Sequence, residues 1–563
     1  MDAITRRSLL RQAALGSAAV AGLGVGAGAA GAAEKSSSAA AGSETSDGSA
    51  AQGSGKHVWE VKPDPIAASD ISQTVDTEVL VIGGGYSGCA CACNAALNGA
   101  QVILVEKDDV LNGHGVGGTG AVKSRVMDEN GVVLDKPVEM ERWVSTCGNR
   151  CSEKVVGKFF RESERCMNWL LDLGQEYGMD CMLTVGSNST VHPEASCYHM
   201  LYGGDFYDKY GYAKAVEYML ADKAEQAGAQ IVYEMPAVQL VQDADGSVTG
   251  AICKGADGYV QYNASKGVVL ATGDISWSDE YLQEFAPIAL KVKARLCGDT
   301  GNVGDGHSMA HWAGAKFQDA PWPTMMHPQA AAMYHGPFLF INPAGERFMN
   351  EATWVQGKCV GIMVNGGYDH AWSIFDANFQ RDNTDSLQYG GGMFWDSFRA
   401  VGTSPEDASA SHAKTVEDGV VNTPDYYKKA DTLEELVAQL DVPADVALAT
   451  IAHYNELCAA GEDTDFFKES HFLYPIEQGP FYACEVGPGL LAVCGGIEID
   501  DQYRALGEDG RPIPGLYAIG NCSGGMYAYD YPINIQGNSH GRCLVEGKCL
   551  GEALAGVYDQ VKA

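Results

Sequence analysis

The apolar positions of the chain first organise into two short unbroken runs, Val79–Ile82 and Val102–Val105. A run of four apolar residues without polar alternation reads as a strand buried on both faces, as in a parallel sheet. The first run stops at Gly83-Gly84-Gly85, and small residues continue through Leu97. The pattern predicts strand, tight turn, helix and a second strand that ends at Glu106. Helical patterns occupy much of Lys154–Tyr177 and Tyr212–Ala227. Gln230–Glu234 reads as a strand closed by Pro236. Val238–Val241 and Val248–Lys254 flank Asp245-Gly246, a hairpin signal. Gly267–Asp274 is a further buried strand running into a glycine, and Gly301–His307 opens a helix over Ser308–Gly314.

From about Trp322 to Pro488 the texture changes. Aromatics, Met, Gly and Pro increase, and strict strand–helix alternation is lost. One helix pair stands out there, Leu433–Leu440 and Ala444–Ala459. Cys494–Asp500 and Ile513–Asn521 then read as strands, and Gly537–Leu554 as a glycine-started helix. The expected architecture is α/β, with a first domain over residues 76–321 that is interrupted by a second, 322–490, and completed by 491–563.

Gly83, Gly85 and Gly88 fit G-x-G-x-x-G. The first glycine makes the turn, the second lets backbone approach a pyrophosphate, and the third lets helix pack on strand. The helix start then offers free N–H groups to phosphate. Glu106 follows at about 18 residues past the third glycine, near the spacing of a ribose-binding carboxylate. A second glycine-rich loop, Gly113–Gly120, lets backbone lie close to a flat ligand. Together these imply a bound dinucleotide. The single G-x-G-x-x-G unit disfavours an additional nicotinamide.

The chain has 563 residues, 46% of them hydrophobic, and a formal net charge of −35. So acidic a surface argues against nucleic acid and anionic membranes as partners. Thr5-Arg6-Arg7-Ser8-Leu9-Leu10-Arg11 is a twin-arginine pattern, followed by an Ala/Gly/Val-rich stretch and small residues through Ala33. Residues 1–33 therefore read as a cleaved Tat signal, which places the mature protein in the periplasm or otherwise outside the cytoplasm. Residues 34–75, rich in Ser, Ala and Gly over their first half, are expected to be a flexible linker. No other stretch is long and apolar enough to span a bilayer. The 17 cysteines contain no C-x-x-C pair and no haem-attachment motif. Cys89, Cys91 and Cys93 alternate behind Gly88, and Cys147 and Cys151 share helical spacing, with Cys166 downstream. Three readings stay open: small residues for helix packing, structural disulfides, and an iron–sulfur cluster of the 4Fe-4S type. No individual residue is assigned as a metal ligand.

The motifs V-I-G-G-G-Y-S-G with Glu106, V-V-L-A-T-G-D at 268–274, G-N-V-G-D-G-H-S-M-A at 301–310, G-E-R-F-M-N-E at 345–351, P-F-Y-A at 480–483 and I-P-G-L-Y-A-I-G-N at 513–521 occur in order. In this the chain resembles the fumarate reductase/succinate dehydrogenase flavoprotein superfamily, which includes the 3-ketosteroid dehydrogenases. The resemblance implies FAD in a discontinuous Rossmann-like domain of the glutathione-reductase type, with an inserted α+β capping domain. It implies that Gly83, Gly85 and Gly88 cradle the pyrophosphate, that Glu106 accepts from the ribose with Lys107 beside it, and that Gly117, Gly118 and Thr119 lie along the isoalloxazine. Asp305 and Asn521 belong to the same set. The loop around His114 is where the superfamily's covalent flavin histidine is expected, and a noncovalent flavin is equally open.

The departures define the branch. Arg347-Phe-Met-Asn-Glu351 is followed by Ala352-Thr-Trp-Val355, without the arginine that donates the proton in fumarate reductases. Ala492-Val-Cys-Gly-Gly496 lacks their histidine, and Ile533–Asn538 lacks their second arginine. Of the dicarboxylate clamp only His327 remains. A buried carboxylate left unpaired is costly, so these departures argue against fumarate as substrate. Tyr531-Pro532 before the last helix is similar to the ketosteroid dehydrogenases, although their other tyrosine is replaced by Trp354-Val355. The chain also resembles exported flavin reductases of anaerobes, such as urocanate reductase and digoxin reductase. The expectation is an FAD-dependent reductase moving hydride to a carbon–carbon double bond conjugated to a carbonyl. Its small-molecule substrate would be a bulky, mostly neutral enone, enoate or unsaturated lactone, steroid-like in shape. Tyr531 is the first candidate for donor or acid, with Tyr527 and Tyr529 as rivals. His327, Tyr334 and His335 are candidates on the capping side. Glu351 is expected to pair with Arg347, and Lys358 reads either as a cation near the site or, as the safer reading, as a solvated lysine. A c-type cytochrome or quinol-linked subunit is the expected electron donor. Two alternatives remain: a 3-ketosteroid-type dehydrogenase running oxidatively, and a flavin electron-transfer subunit without substrate chemistry.

Overall fold

A computed structural model describes residues 56–113, 118–186, 196–212, 214–296, 301–332, 336–389 and 399–558. Its main sheet orders Arg504–Leu506, Pro512–Ala518, Gly258–Leu270, Ile71–Ile82, Val102–Val105 and Gln230–Val232. The Ala237–Gln242/Val248–Gly255 hairpin joins the N-terminal half of Gly258–Leu270. Val79 shows why an unbroken apolar run is required: it pairs in parallel with Val102 on one side and Gly267 on the other. Leu516, Tyr517 and Ala518 pair in parallel with Val268, Val269 and Leu270. The end of the chain therefore returns to the sheet begun near its start.

The Tyr86–Leu97 helix has almost no solvent face; every residue from Tyr86 to Ala96 is buried. It lies on the sheet, beside Ala215–Gln226 and under the final helix, Asn538–Leu554. A Cβ at Gly547 would stand 2.5 Å from the Ser87 carbonyl oxygen, and one at Gly551 2.5 Å from that of Cys91. Such spacing admits only small residues. Cys89, Cys91 and Cys93 are fully buried within it, so the alternating cysteines are packing residues of a helix covered on several sides.

The intervening segment forms a four-stranded antiparallel sheet, Leu339–Ile341, Ala371–Phe375, Phe481–Val486 and Tyr427–Ala430. The Leu433–Val437 and Ala444–Ala460 helices cover one face, burying Leu436 and Ile451 against Leu339, Ile374 and Ala483. The other face buries Phe338, Phe375, Phe379 and Tyr482. Two short sheets join this segment to the rest. Gly489–Val493 pairs with both Thr324–His327 and Ala294–Arg295. Arg399–Ala400 pairs with Asp180–Gly186, in a sheet that also holds Ser196–Tyr202 and Thr119–Gly120. Asp274, buried just past the central strand, reinforces the joint. Its Oδ1 accepts from Asn302 Nδ2 at 3.0 Å and Ser276 Oγ at 2.8 Å, and its Oδ2 from the Val493 backbone N–H at 2.6 Å.

Three expectations are corrected. The first strand begins at Ile71, within the stretch read as linker, and pairs from there with Tyr259–Ala264. Its added residues are mostly exposed and polar, so they carry no apolar run. Trp59, also in that stretch, is buried 4.2 Å from the Tyr281 ring. Cys494–Asp500 is not a strand; Ile497 and Ile499 make isolated bridges, and the strand lies before them at Gly489–Val493.

Inside the capping segment Arg347 pairs with Glu351, as expected, at 2.9 and 3.0 Å. It also grips Asp463 at 3.0 and 2.8 Å. Lys468 Nζ donates to Glu351 and to the Tyr454 hydroxyl, both at 3.0 Å. Two carboxylates and two cations thus close a buried, formally neutral set. Burial opposes charge on Asp463, but the Arg347 bonds and three backbone N–H donors hold its pKa down to about 2. Removing one partner leaves an uncompensated buried charge. Glu351→Ala should cost about 3–5 kcal/mol, read as a lower midpoint in chemical denaturation.

Candidate active site

The parallel strands end together at Gly83, Ala271 and Ile519, where an α/β sheet presents its ligand crevice. Gly83 turns there with φ +105°, and a Cβ on it would lie 2.4 Å from the Ala271 carbonyl oxygen. A Cβ on Gly88 would lie 2.0 Å from that of Gly83. Gly85 is different: a Cβ there would meet only Gly113 Cα, at 3.8 Å. Among the described residues the second glycine thus faces open space at the N-terminus of the Tyr86–Leu97 helix, as approach to a phosphate requires.

Glu106 is buried beside this turn. Its Oε2 accepts from Gly84 N at 2.6 Å and its Oε1 from Asp108 N at 3.1 Å. Burial outweighs those bonds and raises its pKa. Lys107 donates to the Gly301 carbonyl and stands 3.4 Å from Asp305 Oδ2, so the second strand is tied to the start of the Asp305–Trp312 helix. Thr119 Oγ1 lies 3.0 Å from the Tyr86 hydroxyl. Gly118 and Gly120 press on the start of the final helix: Gly120 N donates to Gly537 O at 2.8 Å, and a Cβ on Gly537 would sit 2.4 Å from Gly118 O. Asn521 accepts from Arg542 Nη2. His114, Gly117, Tyr334 and His335 lie outside the described residues.

At the same helix start, Ser539 N donates to the Tyr531 hydroxyl at 3.1 Å. Tyr531 is buried, which raises its pKa and keeps the phenol protonated. Tyr527 donates to Asn538 Oδ1 at 2.6 Å, and its ring lies 5.2 Å from that of Tyr531. Tyr529 is exposed. His327 sits on the Thr324–His327 strand opposite Gly489, and burial lowers its pKa to about 4. It is a neutral imidazole near neutral pH. Lys358 is not solvated as expected: it is buried, donates to Gly336 O at 3.2 Å, and burial lowers its pKa to about 7.

Sequence reasoning missed three residues. Gln356 accepts from Met326 N at 3.0 Å and donates to Asp530 Oδ1. Asp530 is the sole carboxylate of the tyrosine-rich Gly524–Pro532 loop, and that was the available signal. Arg542, fully buried on the final helix, stacks 4.8 Å over the Tyr527 ring. Its Nε and Nη1 meet no hydrogen-bond partner among the described residues. Only half-hidden signals mark it, because an arginine in a glycine-rich helix reads as a surface residue.

The open Gly85 position, the oriented Glu106 and the unpartnered guanidinium edge fit a large polar cofactor. The cysteines fit a cluster poorly. The fifteen cysteines whose side chains are described are free thiols. Cys166 and Cys549 lie 4.0 Å apart, and the group they form is completed by Glu162, not by further thiols. That is short of the four thiolates of a 4Fe-4S cluster.

Residues 78–532 match the FAD binding domain family. The chain belongs to this family. Among its relatives, the vinyl phenol reductase of Lactiplantibacillus plantarum is 26% identical over 501 residues, spanning 85% of this chain and 96% of that protein. The fumarate reductase (cytochrome) of Shewanella frigidimarina is 25% identical over 502 residues, 87% of this chain and 78% of that one. The 3-ketosteroid-delta4-(5alpha)-dehydrogenase of Rhodococcus jostii RHA1 shares the fold with a TM-score of 0.65 at 22% identity, over 87% of this chain and 99% of that one. The protein is accordingly an FAD-dependent oxidoreductase acting on carbon–carbon double bonds. Among the described residues no helix is long and apolar enough to cross a membrane.

The glycine geometry separates fold from cofactor. Gly85→Ala should keep the melting temperature of flavin-free wild type but lose flavin, read as flavin absorbance per chain after gel filtration. Gly88→Ala should instead destabilise the fold by about 1–3 kcal/mol.

Proposed function

We propose that the protein is an exported reductase that saturates a carbon–carbon double bond conjugated to a carbonyl, in a bulky and mostly neutral substrate. The observation that carries this reading is the disposition of the cations. Arg347 is held by Glu351 and Asp463. Lys358 is turned to a backbone carbonyl, and Arg542 is bonded to Asn521. The stretches 352–355 and 533–538, where a dicarboxylate clamp would supply arginines, hold none. A relative named for vinyl phenol agrees with a neutral substrate, although the alkene of that molecule is conjugated to a phenol ring and not to a carbonyl.

Bound FAD supplies the hydride. Gly83, Gly85 and Gly88 with Glu106 would hold its adenosine and pyrophosphate. Lys107 and Asp305 would brace that side, and Gly118, Thr119 and Asn521 would lie along the rest of it. Tyr531 donates its hydroxyl proton in a hydrogen bond to the carbonyl oxygen, where negative charge grows as the double bond is reduced. The N–H of Ser539 at its back fixes the hydroxyl and leaves its proton free to point at substrate. His327, neutral, positions substrate and does not act as the acid.

Residues 1–33 support export by the Tat route. The absence of a haem-attachment motif and the cytochrome named for the Shewanella relative support a separate c-type cytochrome as donor, with a quinol-linked subunit as the other source of electrons.

The reading is tested anaerobically. Dithionite-reduced protein should be reoxidised by members of a panel of enones, enoates and unsaturated lactones; reoxidation by none of them overturns it. Tyr531→Phe should retain flavin and slow reoxidation by about 100-fold. Replacing Arg6 and Arg7 by Lys should leave the unprocessed chain in the cytoplasm, seen by mass of the intact protein in each fraction.

A further inference from the structure

Reducing the double bond also needs a proton for the α-carbon. The stretch Ala352-Thr-Trp-Val355, just past Glu351, holds no arginine where the resemblance expects one to give that proton. The next residue, Gln356, is buried at the start of the Val355–Val364 helix. Because its Oε1 accepts from Met326 N, its amide orientation is set, and Nε2 must face Asp530. Tyr531 N donates to the same Asp530 oxygen, Oδ1, at 2.8 Å. Two N–H donors on one oxygen make Oδ1 the carbonyl-like atom of the group. A proton then belongs on Oδ2, which takes no protein hydrogen bond among the described residues and keeps some exposure. The carboxyl is thus held between the strand carrying His327, the capping segment, and the loop leading to Tyr531.

The surroundings favour the acid form. No cation stands within ion-pair distance of Asp530 among the described residues. The ionisable groups in contact with it are Cys147 and Tyr531, and His327 follows Met326, whose N–H orients Gln356. Cys147 Sγ lies 4.0 Å from the Asp530 carbonyl oxygen, and its thiol is held protonated by Cys151 and by burial. Tyr531 is protonated and His327 neutral, as above. Arg150, the nearby charge, is stacked 4.8 Å over Tyr529. Burial raises the Asp530 pKa to about 6 against the two N–H bonds that lower it.

We propose that Asp530, oriented by Gln356, is the proton donor to the α-carbon in the reduction described above. The inference rests on that reading. As hydride reaches the β-carbon, the π electrons move towards the α-carbon and carbonyl. The α-carbon then takes the proton of Oδ2, and the O–H electrons remain on Asp530 as carboxylate. Solvent restores the proton before the next turnover. Tyr531 and Asp530 divide the work: one steadies the oxygen and the other protonates the carbon.

The test uses flavin-loaded protein and 4-vinylphenol, acrylate, 2-cyclohexenone and an unsaturated steroid lactone as probes. Asp530→Asn should bind and accept electrons from dithionite as the wild type does, yet be reoxidised about 100-fold more slowly. Asp530→Glu should recover part of the rate, whereas a merely structural aspartate would not be rescued by a longer acid. The wild-type rate should fall as pH rises through about 6, because the acid form is the active one. That dependence should vanish in Asp530→Asn. Without any substrate, infrared difference spectra across the same pH should show a protonated-carboxyl band that Asp530→Asn removes. A variant reoxidised at the wild-type rate with the wild-type pH profile, or a wild type lacking the band, overturns this inference alone. A wild type reoxidised by no probe overturns it together with the reductase reading.

Discussion

The structure depends on how closely one helix can approach its neighbours. Tyr86–Leu97 is squeezed between the parallel sheet and the final helix, and Gly83, Gly88, Gly547 and Gly551 each stand where no side chain could fit. That approach sets the position of the final helix, and so of its first turn at Gly537–Ser539. The Gly118–Gly120 loop and the Tyr531 hydroxyl are both fastened to that turn. Moving the helix by the width of a methyl group would therefore displace the Gly118–Gly120 loop and the Tyr531 hydroxyl together. Interiors packed at crystal density transmit such shifts rather than absorb them.

The capping segment solves a different problem. Four of its buried charges, Arg347, Glu351, Asp463 and Lys468, satisfy one another, so those two cations are not offered to a substrate carboxylate. The polarity that remains at the junction is of another kind: a phenol, an imidazole and a carboxyl whose protons are kept on or off by burial. Such a junction discriminates by shape and by hydrogen bonding to a carbonyl more than by charge.

Much of the architecture was legible because it follows from local sterics. The unbroken Val79–Ile82 run, the spaced glycines and Glu106 admit few alternatives, and the return of the chain at Pro512–Ala518 shows in a second glycine-ended strand. What was hidden shares a cause. The Ile71–Val75 extension is exposed on a polar edge, Trp59 is buried by a segment far along the chain, and Asp530 gains its setting only when Gln356 arrives from 174 residues away. Burial created by distant partners leaves no mark on local pattern. Lys358 and Arg542 illustrate the same point, because a lysine or arginine is read as solvated until the fold places apolar surface around it.

The discontinuity of the sheet has a consequence for biogenesis. During synthesis the Gly83–Gly88 turn leaves the ribosome early, but its covering helix is nearly the last part of the chain to be made. Until then the Tyr86–Leu97 helix lacks its roof, and the turn that anchors the Gly118–Gly120 loop does not exist. A chain cut short before its last helix therefore lacks both the roof over Tyr86–Leu97 and the anchor of the Gly118–Gly120 loop, however well its first five hundred or so residues have folded.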